Sequence, residues 1–191
     1  MPSNVTRRDF ITSVSSAAAL TALSPLAHSA SVRAAGARTK IVIVSTDDRK
    51  KGVAAIVKAL NVAVPKGKDV VIKPNFNTAD PAPGSTHNDT LSQLITELKE
   101  RDVRSVTIGE SSGPPVTKKV MEDKGIFDLA RDLKASIVNF EEIAEADWVA
   151  VNPPGSHWAN GFFVPRLVAE SPFLVSTCCL KTHGYGGVMS M

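Results

Sequence analysis

Three short segments hold most of the residues whose types could do chemistry: Lys73-Pro74-Asn75-Phe76-Asn77, Gly109-Glu110-Ser111-Ser112-Gly113 and Lys181-Thr182-His183-Gly184. Together they supply ammonium groups, amide and hydroxyl donors, a carboxylate and an imidazole. Such a set suits a small anion, and Glu110 with His183 also offers donors for a metal. Each residue has a plainer reading beside this one. Lys73 at a strand end can simply snorkel to water. Asn75 and Asn77 can make turns through side-chain bonds to the backbone, and Glu110 can cap the turn that follows it. Ser111 and Ser112 lack the G-x-S-x-G setting of a nucleophile. Lys181 and His183 lie two apart, so an extended chain puts them on one face, to clamp an anion or to leave His183 to a metal. No residue is assigned a catalytic role at this level.

Other reactive types are less organised. Cys178 and Cys179 are adjacent, so in a strand they face opposite ways, and a disulfide between neighbours is strained. Buried free thiols are expected. No C-x-x-C accompanies them, His87 and His157 fall in loops, and neither G-x-G-x-x-G nor G-x-x-x-x-G-K-[ST] occurs.

The elements that must position these residues follow from periodicity. Lys40–Ser45 is a continuous β-branched run, expected to be a strand buried on both faces. Asp47 or Asp48 then caps a helix carrying Val53, Ile56, Val57 and Leu60. Asp69–Lys73 is a second strand, stopped by Pro74, and a polar loop runs from Asn75 to His87. Thr90 and Gln93 suggest a capping box for a helix with Leu91, Leu94, Ile95 and Leu98 on one face. Arg104–Ile108 is a third strand, ending at a turn that starts with Gly109. Helical pieces over Val116–Asp123 and Ile126–Leu133 lead to a strand at Ser136–Phe140. Further strands are expected at Asp147–Val151, Phe162–Val164 and, centrally placed, Phe173–Cys178. Alternating strands and helices predict an α/β fold, a mainly parallel sheet with helices on both faces. Ligands of such sheets bind beyond the carboxyl ends of the strands, where the three segments fall.

The N-terminus carries an address. Arg7 and Arg8 precede Asp9 and Phe10, an uncharged stretch rich in Ala and Ser runs from Val14 to Ala27, and small-residue sites follow. This pattern resembles a twin-arginine export signal over residues 1–37, with the twin-arginine machinery as partner and a periplasmic or other extracytoplasmic destination. The apolar stretch is too short for a stable membrane span. Residues 38–191 are then the α/β domain. The chain of 191 residues is 43% hydrophobic and 21% charged, with net charge +3. That balance excludes wholesale disorder and a polytopic membrane protein. Arg7, Arg8 and Arg33 lie in the address, so nucleic acid is not an expected partner.

The motifs Ile72-Lys73-Pro74-Asn75-Phe76-Asn77, Thr86-His87, Ile108-Gly109-Glu110-Ser111 and Leu180-Lys181-Thr182-His183, in that order, resemble domain of unknown function family 362. The resemblance runs from Lys40 to Met191. It implies an α/β fold and, in some members, export or an iron–sulfur cluster segment. Family members continue past Lys-Thr-His into a Lys-Asn segment and further sheet, so the domain is expected to be incomplete at its C-terminus. No ferredoxin-like cysteine run is present, and an iron–sulfur cluster is expected only through further C-terminal sequence or a partner. The expected function is exported ligand binding at the strand-end loops by Lys73, Asn75, Glu110, Ser111, Lys181 and His183. The ligand is a small anion, a metal or a redox cofactor, in an oxidoreductase-like role that could involve a redox partner. The alternative is a non-catalytic periplasmic binding or interaction protein.

Overall fold

The computed structural model describes residues 39–183 and 187–190. The export signal expected over residues 1–37, with Arg7, Arg8 and Phe10, lies outside them.

Helix α1 spans Arg49–Leu60, strand β1 Asp69–Lys73, α2 Asn88–Lys99, β2 Ser105–Glu110, α3 Thr117–Asp123, α4 Ile126–Asp132 and β3 Ser136–Asn139. A 3-10 turn at Glu145–Asp147 leads into β4 (Trp148–Val151) and β5 (Phe162–Pro165). Then come α5 (Arg166–Ala169), β6 (Leu174–Ser176), β7 (Lys181–His183) and β8 (Gly187–Ser190). Four strands form one sheet in the order β3-β2-β1-β6, and every pairing in it is parallel. The β4–β5 and β7–β8 pairs are separate antiparallel ladders. This is the expected α/β architecture.

Strand alternation divides the core. Val70 and Ile72 of β1 lie in register with Val106 and Ile108 of β2. They pack against Leu91, Ile95 and Leu98 of α2 and against Val120, Met121, Ile126 and Ala130 of α3 and α4. The opposite face carries Val71 and Val138, which with Phe140 and Leu167 of α5 line a recess of about 430 Å³. At Gly109 the absence of a side chain matters: a Cβ there would collide with the Phe140 ring. Glycine lets that ring approach the strand closely.

Several expectations change. Among the described residues Lys40–Ser45 joins no sheet, and Ile41 and Ile43 are 78% and 90% exposed. A β-branched run favours extended backbone but cannot supply a partner, and β1 already has β2 and β6 on its two edges. Helix α1 is capped by Asp48, which accepts from Lys51 N. Helix α2 begins earlier than the capping box suggested: His87 is its N-cap and its Nδ1 accepts from Asp89 N. Gly109 and Glu110 belong to β2, because both still pair with β3. Strand β6 is an edge of the sheet rather than central. It ends before the cysteines, so Cys178 is exposed and Cys179 half-buried, both as free thiols. Lys181 and His183 are residues of a distinct ladder, where Lys181 pairs with Ser190 and His183 with Gly187.

Candidate functional site

In the order β3-β2-β1-β6, the chain steps from β1 through β2 to β3 in one direction, and β6 lies on the other side of β1. The strand order therefore reverses between β1 and β6. A crevice opens at such a point beyond the carboxyl ends of the strands. Pro74-Asn75-Phe76 leaves β1 there, and Thr177-Cys178-Cys179 leaves β6.

The loop after β1 folds back over this point. Thr86 Oγ1 accepts from Asn75 N at 3.0 Å and donates to Thr177 O at 3.1 Å. Thr86 N donates to Asn75 O at 2.9 Å, and Thr177 N donates to Lys73 O at 3.0 Å. Cys179 Sγ donates to Ser85 O at 3.3 Å. One threonine thus ties the two strand ends together. Sequence reading placed Thr86 only as part of a motif, because its partners are eleven and 91 residues away.

At the ends of β1 and β2, Lys73 and Glu110 form an ion pair. Glu110 is wholly buried. Its Oε1 accepts from Lys73 Nζ and, at 2.8 Å, from Ser111 N; its Oε2 accepts from Phe76 N at 2.8 Å. Burial pushes the Glu110 carboxyl up, against the pull of Lys73 and of the two N–H donors. Lys73 Nζ also donates to Pro74 O at 2.8 Å, and its side chain is 35% exposed. Phe76 is held beneath the loop, with Lys124 Nζ 5.0 Å from its ring centre.

A second network shapes the turn after β2. Thr117 Oγ1 accepts from Ser112 N at 2.7 Å and donates to Glu141 Oε1 at 2.6 Å. Thr117 N donates to Glu141 Oε2 at 3.1 Å. Neither residue stood out in the sequence, since an isolated Thr and Glu carry no spacing signal.

Among the described residues, the buried side-chain polar atoms without a hydrogen-bond partner are Asn75 Oδ1, Ser112 Oγ and Asn139 Nδ2. One follows β1, one follows β2 and one closes β3, so all three lie at the carboxyl edge of the sheet. Buried polar groups are almost always paired, and an unpaired set at one edge calls for an outside partner such as water or a ligand. Of the residues singled out beforehand, Lys73, Asn75, Glu110 and Ser111 come together here. Lys181 makes no hydrogen bond or ion pair with them among the described residues, and His183 lies with it in the β7–β8 ladder. No group of three or more His, Cys, Asp or Glu side chains stands together among the described residues. No helix among them is long and apolar enough to cross a membrane.

Fold and site define a parallel α/β protein whose strand order reverses between β1 and β6, with a polar cluster at the carboxyl edge of the sheet. The chain belongs to the family described as Domain of unknown function (DUF362), whose sequence model spans residues 70–191. That span opens within β1 and takes in every strand-end segment described above. No curated protein and no solved structure matches the chain.

Proposed function

We propose that the chain is an exported member of this family that binds a small anion at the carboxyl edge of its sheet. Export is supported by Arg7 and Arg8 ahead of Phe10 and by the short apolar stretch Val14–Ala27. Binding is supported by one observation above all: the unpartnered buried polar atoms lie at the same carboxyl edge of the sheet as Lys73. The Lys73 ammonium has three donors. Two are engaged, by Pro74 O and Glu110 Oε1, and the third serves a ligand oxygen. Ser112 Oγ–H and Asn139 Nδ2–H add uncharged donors, and Asn75 Oδ1 accepts from a ligand hydroxyl. These atoms are enclosed, so binding displaces the turn after β2. Glu110 acts here as the anchor of Lys73 and of two backbone N–H groups.

An oxidoreductase-like role at the same edge requires a redox-active species to be what binds there. Native mass spectrometry of the full chain, folded in the cytoplasm, separates these cases by mass. Calorimetric titration with inorganic phosphate and with a short dicarboxylate then tests the anion reading. The expected result is saturable binding that weakens about tenfold in Lys73→Met, equivalent to loss of roughly 1.4 kcal/mol. Binding of neither probe, or binding indifferent to Lys73→Met in a folded variant, rejects it.

A further inference from the structure

The β4–β5 hairpin carries a second recess, away from the residues just discussed. In its register Trp148 lies opposite Pro165, and Ala150 opposite Phe163. Residues two apart on a strand share a face, so Trp148, Ala150 and Phe163 share one. Trp148 and Phe163 are diagonal neighbours on it, at a spacing that large rings bridge. Ala150, opposite Phe163 on the same face, carries only a methyl group there. Glu145 stands one turn ahead of β4, where its carbonyl accepts from Trp148 N. Glu145, Trp148 and Phe163 together line a recess of about 370 Å³.

The recess joins a half-buried indole, an exposed phenyl ring and an exposed carboxylate. Phe163 is 69% exposed, and Glu145 makes no ion pair among the described residues. Of the acidic residues in the run Glu141–Asp147, which holds no basic residue, Glu145 is the one that lines this recess. Arg166, three residues after Phe163, is already engaged. It pairs with Glu170 at 2.8 Å and donates to Ala146 O at 3.1 Å, and it lines the other recess.

We propose that this recess binds a small alkylated ammonium ion, its methyl groups against the Trp148 and Phe163 rings and its charge balanced by Glu145. Ring faces attract a cation through their quadrupole, most strongly for indole. A primary ammonium would have to exchange hydrated N–H bonds for a single carboxylate acceptor. An alkylated ammonium has no such bonds to lose and presents an apolar surface to apolar walls.

The test uses the full chain and two probes of nearly equal shape, choline and its uncharged carbon analogue 3,3-dimethylbutan-1-ol, followed by calorimetry and tryptophan emission. Choline is expected to saturate in the millimolar range and the analogue to bind about tenfold more weakly. Glu145→Gln should weaken choline about five- to tenfold. Ala150→Leu, which adds bulk on the face shared by the two rings without removing a lining group, should abolish binding; Phe163→Ser serves the same purpose should that hairpin not fold by circular dichroism. Lys73→Met should leave choline binding unchanged, which separates this site from the strand-end edge. Equal binding of choline and the analogue overturns the proposal, as does binding indifferent to Glu145→Gln and to filling or removing the ring pair. Capture of an oligolysine peptide with no saturable choline binding also overturns it, and would make the face a protein contact.

Discussion

Lys73 and Glu110 are the last residues of neighbouring parallel strands, and their side chains pair across the carboxyl edge of the sheet. The carboxylate also receives the N–H groups of Phe76 and Ser111, so one buried side chain fixes the lysine and the start of two loops. Glu110→Ala is therefore expected to cost about 1–3 kcal/mol for each buried donor it leaves unpaired. Urea denaturation would show the loss; an unchanged midpoint would mean that Glu110 does not anchor these loops.

The pair also predicts a pH signature. Burial raises the folded-state pKa of Glu110, and Lys73 opposes that rise. Lys73→Met should raise it further. A folded carboxyl pKa above the unfolded one means that the native state holds the extra proton, so stability falls as pH climbs from the unfolded value toward the folded one. The difference in stability between Lys73→Met and the parent should widen across that window. Adding Glu110→Gln, which cannot ionise, should remove the widening.

At the other end of β1 the sign reverses. Asp69 bonds to Arg104 and Ser105, and these contacts hold its carboxyl well below the usual carboxylate range. Its contribution is present above the unfolded pKa and is lost as pH falls through the folded one. Acid titration of stability should be shallower in Asp69→Asn, with a gap between the two proteins that is full near neutral pH, closes in acid, and is small throughout because the pair is exposed. Parallel acid limbs would rule this out.

Gly109 has no room for a side chain beneath Phe140. Gly109→Ala is expected to destabilise by about 1–3 kcal/mol through overpacking. Combining it with Phe140→Leu should recover part of that loss, since the clash is with the ring. Additive losses in the double variant would locate the strain elsewhere.

The segment Lys40–Ser45 separates sequence pattern from structure. With Ile43 90% exposed, Ile43→Ser should change stability by no more than about 0.5 kcal/mol. Ile72→Ala, inside the core, should cost about 2–5 kcal/mol. A comparable loss at both sites would show that Ile43 is packed.

For the proposed export, replacing Arg7 and Arg8 together by Lys should leave the protein in the cytoplasm, as fractionation would show. Normal delivery of that variant would remove the twin-arginine reading.

Much of this was legible in the residue order. Strand β1 at Asp69–Lys73 is bounded by a charge and a proline, and its hydrophobic run is short enough to exclude a helix. The apolar stripe of α2 follows from Leu91, Leu94, Ile95 and Leu98 at helical spacing, and the strand-end segments with Lys73, Asn75, Glu110 and Ser111 declare themselves by type. These are local properties, carried by neighbours within a turn or a strand. Pairing is not local. Only the tertiary structure decided that Lys40–Ser45 has no strand beside it, that β6 is an edge, and that Lys181 and His183 stand in a ladder apart from Lys73. It alone brought Thr86 to Thr177 and Glu141 to Thr117, contacts between residues whose separation along the chain leaves no periodic trace. It alone showed that the unpaired buried polar atoms of three successive strands share one edge. Composition and spacing set what each segment is; which segments meet is decided when backbone hydrogen bonds and buried faces find their partners across the whole chain.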